Sequence, residues 1–311
     1  MNNKILNNSS LQDLENLIGR RIPEVDKIEW NTFGVLIKEG KIIGLGLYNQ
    51  AIEKLPESIG NLKSLELLSL SDNLLTRLPD SFSQLVNLKE LILRVNKLTT
   101  LPNFFVNLKS LQHLELQYNH LKTLPDSFGA LTSLEDLRLY FNQLTTLPES
   151  FGQLINLKEL YLFDNELTTL PDSFGNLRSL EKLSLIKNKL RALPESFGTL
   201  TNLKELYLGY NQLTTLPDSF DNLKSLQKLW LNNNKFKTLP NILENLTNLQ
   251  ELNLLNNQLT TLPDSLLYNL KNLKKIYVSR ILLKKETKSI IKKYKIKVKS
   301  IKSNSLRSYY G

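Results

Sequence analysis

The chain has no cysteine among its 311 residues, and that absence removes every mechanism that needs a thiol, whether as nucleophile, metal ligand or disulfide partner. A reducing compartment, the cytoplasm, is the natural expectation for such a composition. Histidine is nearly as scarce. His113 and His120 stand seven apart, and two rings make no metal site without further converging ligands. Long apolar runs are missing as well: nowhere do about 18 apolar residues follow one another. The opening MNNKILNNSS has no apolar core either, so a soluble, unsecreted protein is expected. Glycine is sparse, with 12 residues. The nearest thing to a phosphate loop, residues 34–42, has five residues between its glycines where four are needed, and Ile42 offers magnesium no hydroxyl. That segment reads as a hairpin turn.

Proline organises the rest. Ten of the 11 prolines occupy one position of a unit that recurs every 23 residues. Residues 157–179, LKELYLFDNELTTLPDSFGNLRS, show the unit in full. Leu160 and Leu162 alternate with Glu159, Tyr161 and Phe163, the period-two pattern of a short strand with one buried face, so each unit is expected to add one parallel strand. Asn165 follows, with equivalents from Asn73 to Asn257. An amide side chain both donates and accepts, so a buried column of them can satisfy the turn backbone between coils. Pro171 then turns the chain outward, and Phe174 and Leu177 point back inward.

Nine in-register copies with asparagine and proline retained resemble the leucine-rich repeat family over residues 42–281. The 23-residue unit with LPxSFGxLxxL is most similar to the intracellular class found in plant Ras-group proteins and animal Ras-pathway scaffolds. The resemblance implies an α/β solenoid: a curved horseshoe with a parallel sheet on the concave face and short helical or extended segments outside. It further implies a non-enzymatic scaffold or adaptor without cofactor that holds a protein or peptide partner in intracellular signalling. A small GTPase-linked partner follows by family analogy alone. The disulfide-bonded caps of secreted members are absent. Without cysteine, the chain also cannot work as the cysteine-dependent ubiquitin ligases of bacterial members do.

Residues 1–41 read as an N-terminal cap. Ser10 and Asp13 have capping-box spacing, Leu11, Leu14, Leu17 and Ile18 follow at helical intervals, and Gly19 ends them. Residues 33–37 and 41–47 flank Glu39-Gly40 as a hairpin whose second arm opens the array. Gln50 stands in the first asparagine slot. After Pro263 one extra residue shifts the register, Ile281 takes the asparagine slot, and no proline follows. Residues 282–311 then read as a basic cap and tail. A helix is expected over 282–294 with Leu283, Ile290 and Ile291 as its apolar contacts, then an edge strand carrying Ile296 and Val298. Residues 271–311 hold fourteen Lys and Arg against Glu286 alone, a net of +13 that leaves −3 of the total +10 for the rest. Such a segment can bind anionic lipid or nucleic acid through phosphates. It can equally solubilise the last coil and shield an edge strand, and the lack of any nucleic-acid motif favours that second reading.

The fifth, seventh and eighth positions of each unit are expected to face the concave solvent side, and seven of the 11 tyrosines fall in them. They gather mid-array as Tyr118, Tyr140, Phe141, Tyr161, Phe163, Tyr207, Tyr210 and Trp230, with Arg94, Glu115 and Arg138 on the N-terminal side. In-register stacking sets Tyr140 beside Phe163, Tyr207 beside Trp230 and Glu115 beside Arg138. Exposed rings with nearby arginine are typical of interface hot spots, here suited to a partner with an apolar anchor and a carboxylate. The competing view is that tyrosine favours strands and neighbouring rings cover one another. Carboxylates repeat at the third position, Glu90, Asp136, Glu159, Glu205 and Glu251, and repetition down a whole face points to surface chemistry and not to an acid–base pair.

Overall fold

The computed structural model describes residues 8–299 apart from 280, 281, 283 and 294. Among them, thirteen strands form one sheet in chain order. β1 (Phe33–Lys38) lies antiparallel to β2 (Lys41–Leu47), and every later strand is parallel and in register, so that Arg138 pairs with Tyr161 and Ser184 with Tyr207. The array strands are three residues long, as in β7 (Glu159–Tyr161). That is shorter than the alternation suggested, and the cause is the eighth position. There the backbone turns left-handed in non-glycine residues, with φ 54° at Val95, 58° at Tyr118 and 53° at Phe141. This conformation costs an L-residue roughly 1–2 kcal/mol. The eighth column therefore sits on a turn and not on a strand, although bonds between coils persist there (Asp164 N–H to Ile186 O, 2.9 Å).

On the opposite side, Pro171 leads into a five-residue 3-10 turn, Asp172–Asn176, that sends Phe174 and Leu177 fully into the core. Phe151, Phe174 and Phe197 stack in one continuous column with centroids 6.1–6.2 Å apart and planes within 2°. Neighbouring strands pack at about 4.8 Å. Coils spread on the phenylalanine side and close on the sheet side make the sheet the inner face of the curve. Glycine keeps the outer turns in contact: a Cβ on Gly152 would stand 2.2 Å from Ser173 O.

The asparagines join the coils as their spacing implied. Asn165 donates to Leu139 O of the previous coil (2.9 Å) and Leu162 O of its own (3.1 Å), and accepts from Leu144 N–H (3.0 Å). Asn257, near the end of the array, repeats the pattern but is only half-buried. Gln50 departs from it. Its amide donates to Asn49 O and accepts from Arg20 (2.6 Å), tying the first coil to the cap.

Helix α1 (Ser9–Ile18) is capped by Asn8, whose Oδ1 accepts from Ser10 and Leu11 N–H, and not by Ser10, which is buried inside the helix. Gly19 closes it at φ 72°, and Glu39 and Gly40, at φ 50° and 72°, make the hairpin turn. At the other end, the extra residue after Pro263 turns the usual 3-10 segment into α2 (Asp264–Asn269). α3 (Lys285–Lys293) is shorter than the expected 282–294 and is held to α2 by Thr287 donating to Asp264 (2.7 Å). Ile290 and Ile296 are buried, Ile291 partly so, and β13 (Lys297–Lys299) extends the sheet beside β12 (Lys275–Tyr277), with Val298 opposite Ile276. Ile281 and Leu283 lie outside the described residues.

Replacing Asn165 by Leu strands the Leu144 N–H and leaves the Leu139 and Leu162 carbonyls short of a donor, so a loss of about 1–3 kcal/mol is expected in chemical denaturation. Leu160→Ala, at a fully buried strand position, is expected to lose about 2–5 kcal/mol. An Asn165→Leu protein as stable as the parent would contradict the coil-bridging role.

Candidate functional site

Alternation along each strand turns the third, fifth and seventh residues to the inner face. In the middle of the array they frame a hollow of about 590 Å³ lined by Tyr118, Arg138, Tyr140, Phe141, Tyr161, Phe163, Lys182, Ser184, Ile186, Tyr207 and Trp230. Eight of the eleven residues picked out in the sequence are thus brought together. The rings pack as expected. Tyr140 stacks on Phe163 with centroids 4.2 Å apart, Tyr118 stacks on Phe141 at 4.6 Å, and Tyr207 meets Trp230 edge-on at 5.2 Å. Because the eighth position is left-handed, it lays Tyr118 and Phe141 against the seventh column. Most of these rings cover each other by half, and only Tyr118 is exposed.

The fifth-position hydroxyls reach back along their own strands to the third position. Tyr161 donates to Glu159 (2.5 Å) and Tyr207 to Glu205 (2.8 Å), while the Trp230 indole donates to Glu251 (3.2 Å). Burial first, then these carboxylate bonds, push the Tyr161 and Tyr207 phenols well above the ordinary tyrosine range. Burial alone would raise Glu205, but hydrogen bonds from Lys228 and Tyr207 outweigh it and hold the carboxyl low. Burial raises Glu90 and Tyr140. For Arg138, burial opposes the charge, yet its hydrogen bond to Asp136 and the carboxylates of Asp136 and Glu115 keep it firmly protonated.

Three expected residues do not line the hollow. Arg94 lies 4.4 Å over the ring of Trp30, which crosses the inner face of the first coils, meets Tyr48 edge-on and accepts from Ser69 through its carbonyl. Glu115 is taken by Arg138 (2.8 Å) and Gln117 (2.8 Å). Tyr210 is half-buried on the left-handed turn after the ninth strand. Arg94 and Arg138, expected to suit a partner's carboxylate, both have contacts within the chain. One is stacked on the cap and the other is already bonded to Glu115 and Asp136. Beside Arg138, Lys182 also lines the hollow, its ammonium 5.2 Å from the Tyr161 ring centre. Alternation places the third column on the same face as the fifth and seventh. Ser184 and Ile186, small beside their neighbours, make the floor between two aromatic walls.

The leucine-rich repeat region model matches residues 44–119 and 111–189, and two further leucine-rich repeat models match 187–236 and 248–270, together more than half of the chain. The chain belongs to the leucine-rich repeat family, generally a fold for protein interaction and not for catalysis. No curated protein matches it. Among solved structures it is similar to the PEPR1–AtPEP1 complex, with 32% identity, TM-score 0.73, and 87% of this chain and 42% of that one covered. It is similar to a chain of the octameric Latrophilin 3, Unc5D and FLRT2 complex, where FLRT2 supplies the leucine-rich repeats, with 27% identity, TM-score 0.63, and 80% and 78% covered. It is also similar to the Drosophila Toll–Spätzle complex, with 27% identity, TM-score 0.66, and 76% and 38% covered. The chain thus spans less than half of the matched chains in the first and third. No helix among the described residues is long and apolar enough to cross a membrane.

The raised phenols set a pH dependence. A folded-state pKa above the unfolded value of about 10 means that the stabilisation by the neutral phenols is complete below that pH and is lost as pH rises through the folded values. Urea midpoints are expected to fall from about pH 10 upward, and less steeply in a Tyr161→Phe, Tyr207→Phe protein. If absorbance titration of the parent shows every tyrosine ionising together in the ordinary range, the burial and carboxylate bonds assigned to these two are wrong.

Proposed function

We propose that the chain is a non-enzymatic scaffold or adaptor whose inner hollow captures a protein or peptide partner, an apolar side chain of the partner entering between the Tyr161–Phe163 wall and the Tyr207–Trp230 wall over Ser184. One observation carries this reading. The rings form a contiguous patch on the inner face of the sheet, opposite the core in which Leu160, Leu162, Leu206 and Leu208 are fully buried. Isolated exposed rings are common on proteins, but a contiguous group is not. Buried aromatic anchors also dominate interface energies. Similar folds in the PEPR1–AtPEP1 and Toll–Spätzle structures are found in complexes, which supports the class of activity. A place in intracellular signalling, and a partner linked to a small GTPase, rest on the likeness of the repeat sequence to Ras-pathway scaffolds. Cytoplasmic residence rests on the absence of cysteine.

The test is paired. Tyr161→Ala with Phe163→Ala is expected to abolish capture of an affinity-isolated partner. Its ring contacts are expected to cost the fold only about 1–2 kcal/mol. Undiminished capture by that double variant would remove the concave site from consideration.

A further inference from the structure

The last coil and its cap carry a second surface of different chemistry. Lys271 follows α2, Lys284 precedes α3, Lys288 and Lys292 lie on α3, Lys295 follows it, and Lys297 is on β13; all six are exposed. Among the described residues, none of the six stands within ion-pair distance of a carboxylate, in contrast to Lys275, which meets Glu251 at 3.2 Å. Shielding of an edge strand accounts for Lys297 but not for the helix. Lys284, Lys288 and Lys292 are spaced by four, so they share one helix face, where like charges repel one another. Solubility alone asks for charge of either sign, and mixed signs would serve it at no such cost. The helix meanwhile spends its apolar side on the core, where Ile290 is buried, so it has no face left to insert into lipid.

We propose that this end of the solenoid is a docking surface for an anionic lipid membrane, held at the headgroup level by charge. A bilayer presents phosphates and carboxylates as a plane, which suits ammonium groups spread over a turn, a helix and a strand. Nucleic acid presents phosphates in lines and is read by guanidinium forks and ring platforms, and the described basic groups here are all lysines. Tyr268, half-exposed on α2, the helix whose Asp264 accepts from Thr287 of α3, adds a side chain of the kind that settles at the headgroup layer.

The experiment is co-sedimentation of the full chain with phosphatidylcholine vesicles carrying about one-third phosphatidylserine, compared with phosphatidylcholine alone. Binding is expected only to the anionic vesicles and is expected to fade between about 0.05 and 0.5 M salt. Each lysine near such a surface is worth about five-fold, so Lys284→Gln, Lys288→Gln and Lys292→Gln together are expected to weaken partitioning on the order of a hundred-fold. The melting curve should stay put, because all three side chains are exposed. Equal sedimentation with both vesicles, or undiminished binding by the triple variant, overturns the proposal. So does a mixed-sequence DNA duplex that strips the protein from vesicles at equal phosphate concentration, which would assign the surface to nucleic acid.

Discussion

A chain that leaves its sheet once in every coil takes backbone N–H and C=O groups out of the ladder, and groups so buried must find other partners. Here the partner is the amide at the ninth position. Each one spans two coils, as Asn165 does between Leu139, Leu144 and Leu162, so the column is simultaneously a set of hydrogen bonds and a spacer that holds the coils in register. Bringing that amide inward requires a sharp turn, and the turn is made by the left-handed residue just before it. The strain is accepted even at Val95 and Phe141, where a branched or bulky side chain makes it more costly. Register fixed in this way makes like positions neighbours along the whole array.

That neighbour relation turns a one-dimensional sequence pattern into a surface. Tyr140, Phe163 and Ile186 follow one another in one column and Tyr161, Ser184 and Tyr207 in the next, so a small residue in one unit opens a gap between large ones on either side. The hollow is therefore a property of one coil being poor in bulk and not of any loop. Its rings are preorganised, because the tyrosine hydroxyls are tied to Glu159 and Glu205 and the indole to Glu251. Fixed rings lose less freedom on binding than mobile ones.

Much of this was legible in the sequence because the period is strict. The parallel sheet, the inward Phe174 and Leu177 and the bridging role of Asn165 each follow from one position repeated many times. What was harder to read depends on residues that occur once or on geometry that a pattern does not display. Asn8 took the helix cap from Ser10 because its amide oxygen accepts from two N–H groups at once. The left-handed eighth position leaves no compositional trace when it accepts Val, Tyr, Phe, Lys and Asp alike. Trp30, outside the repeats and far in sequence from Arg94, claimed that arginine through a fold-back that no repeat could announce. The third-column carboxylates had the right alternation for the inner face, but their ties to the rings only emerge once side chains have directions.

The inner hollow and the basic end meet at one carboxylate. Glu251 accepts from the Trp230 indole with one oxygen and from Lys275 with the other, so the far wall of the hollow and a lysine of the last coil share a single anchor. Among the described residues, Lys284, Lys288, Lys292, Lys295 and Lys297 have no such anchor, so their charge remains available at the surface while that of Lys275 is spent internally. Across the array the same rule sorts the cations. Lys228 and Arg138 are matched to neighbours one coil away and serve to position rings, as is Lys187 beside Asp164. Charge matched within the coil stack tunes the shape of the inner face and is partly shielded from salt by burial. Charge left unmatched on the cap is fully exposed to it. Ionic strength therefore acts on the two surfaces unequally, weakening contacts at the end of the solenoid while leaving an aromatic interface in its middle largely intact.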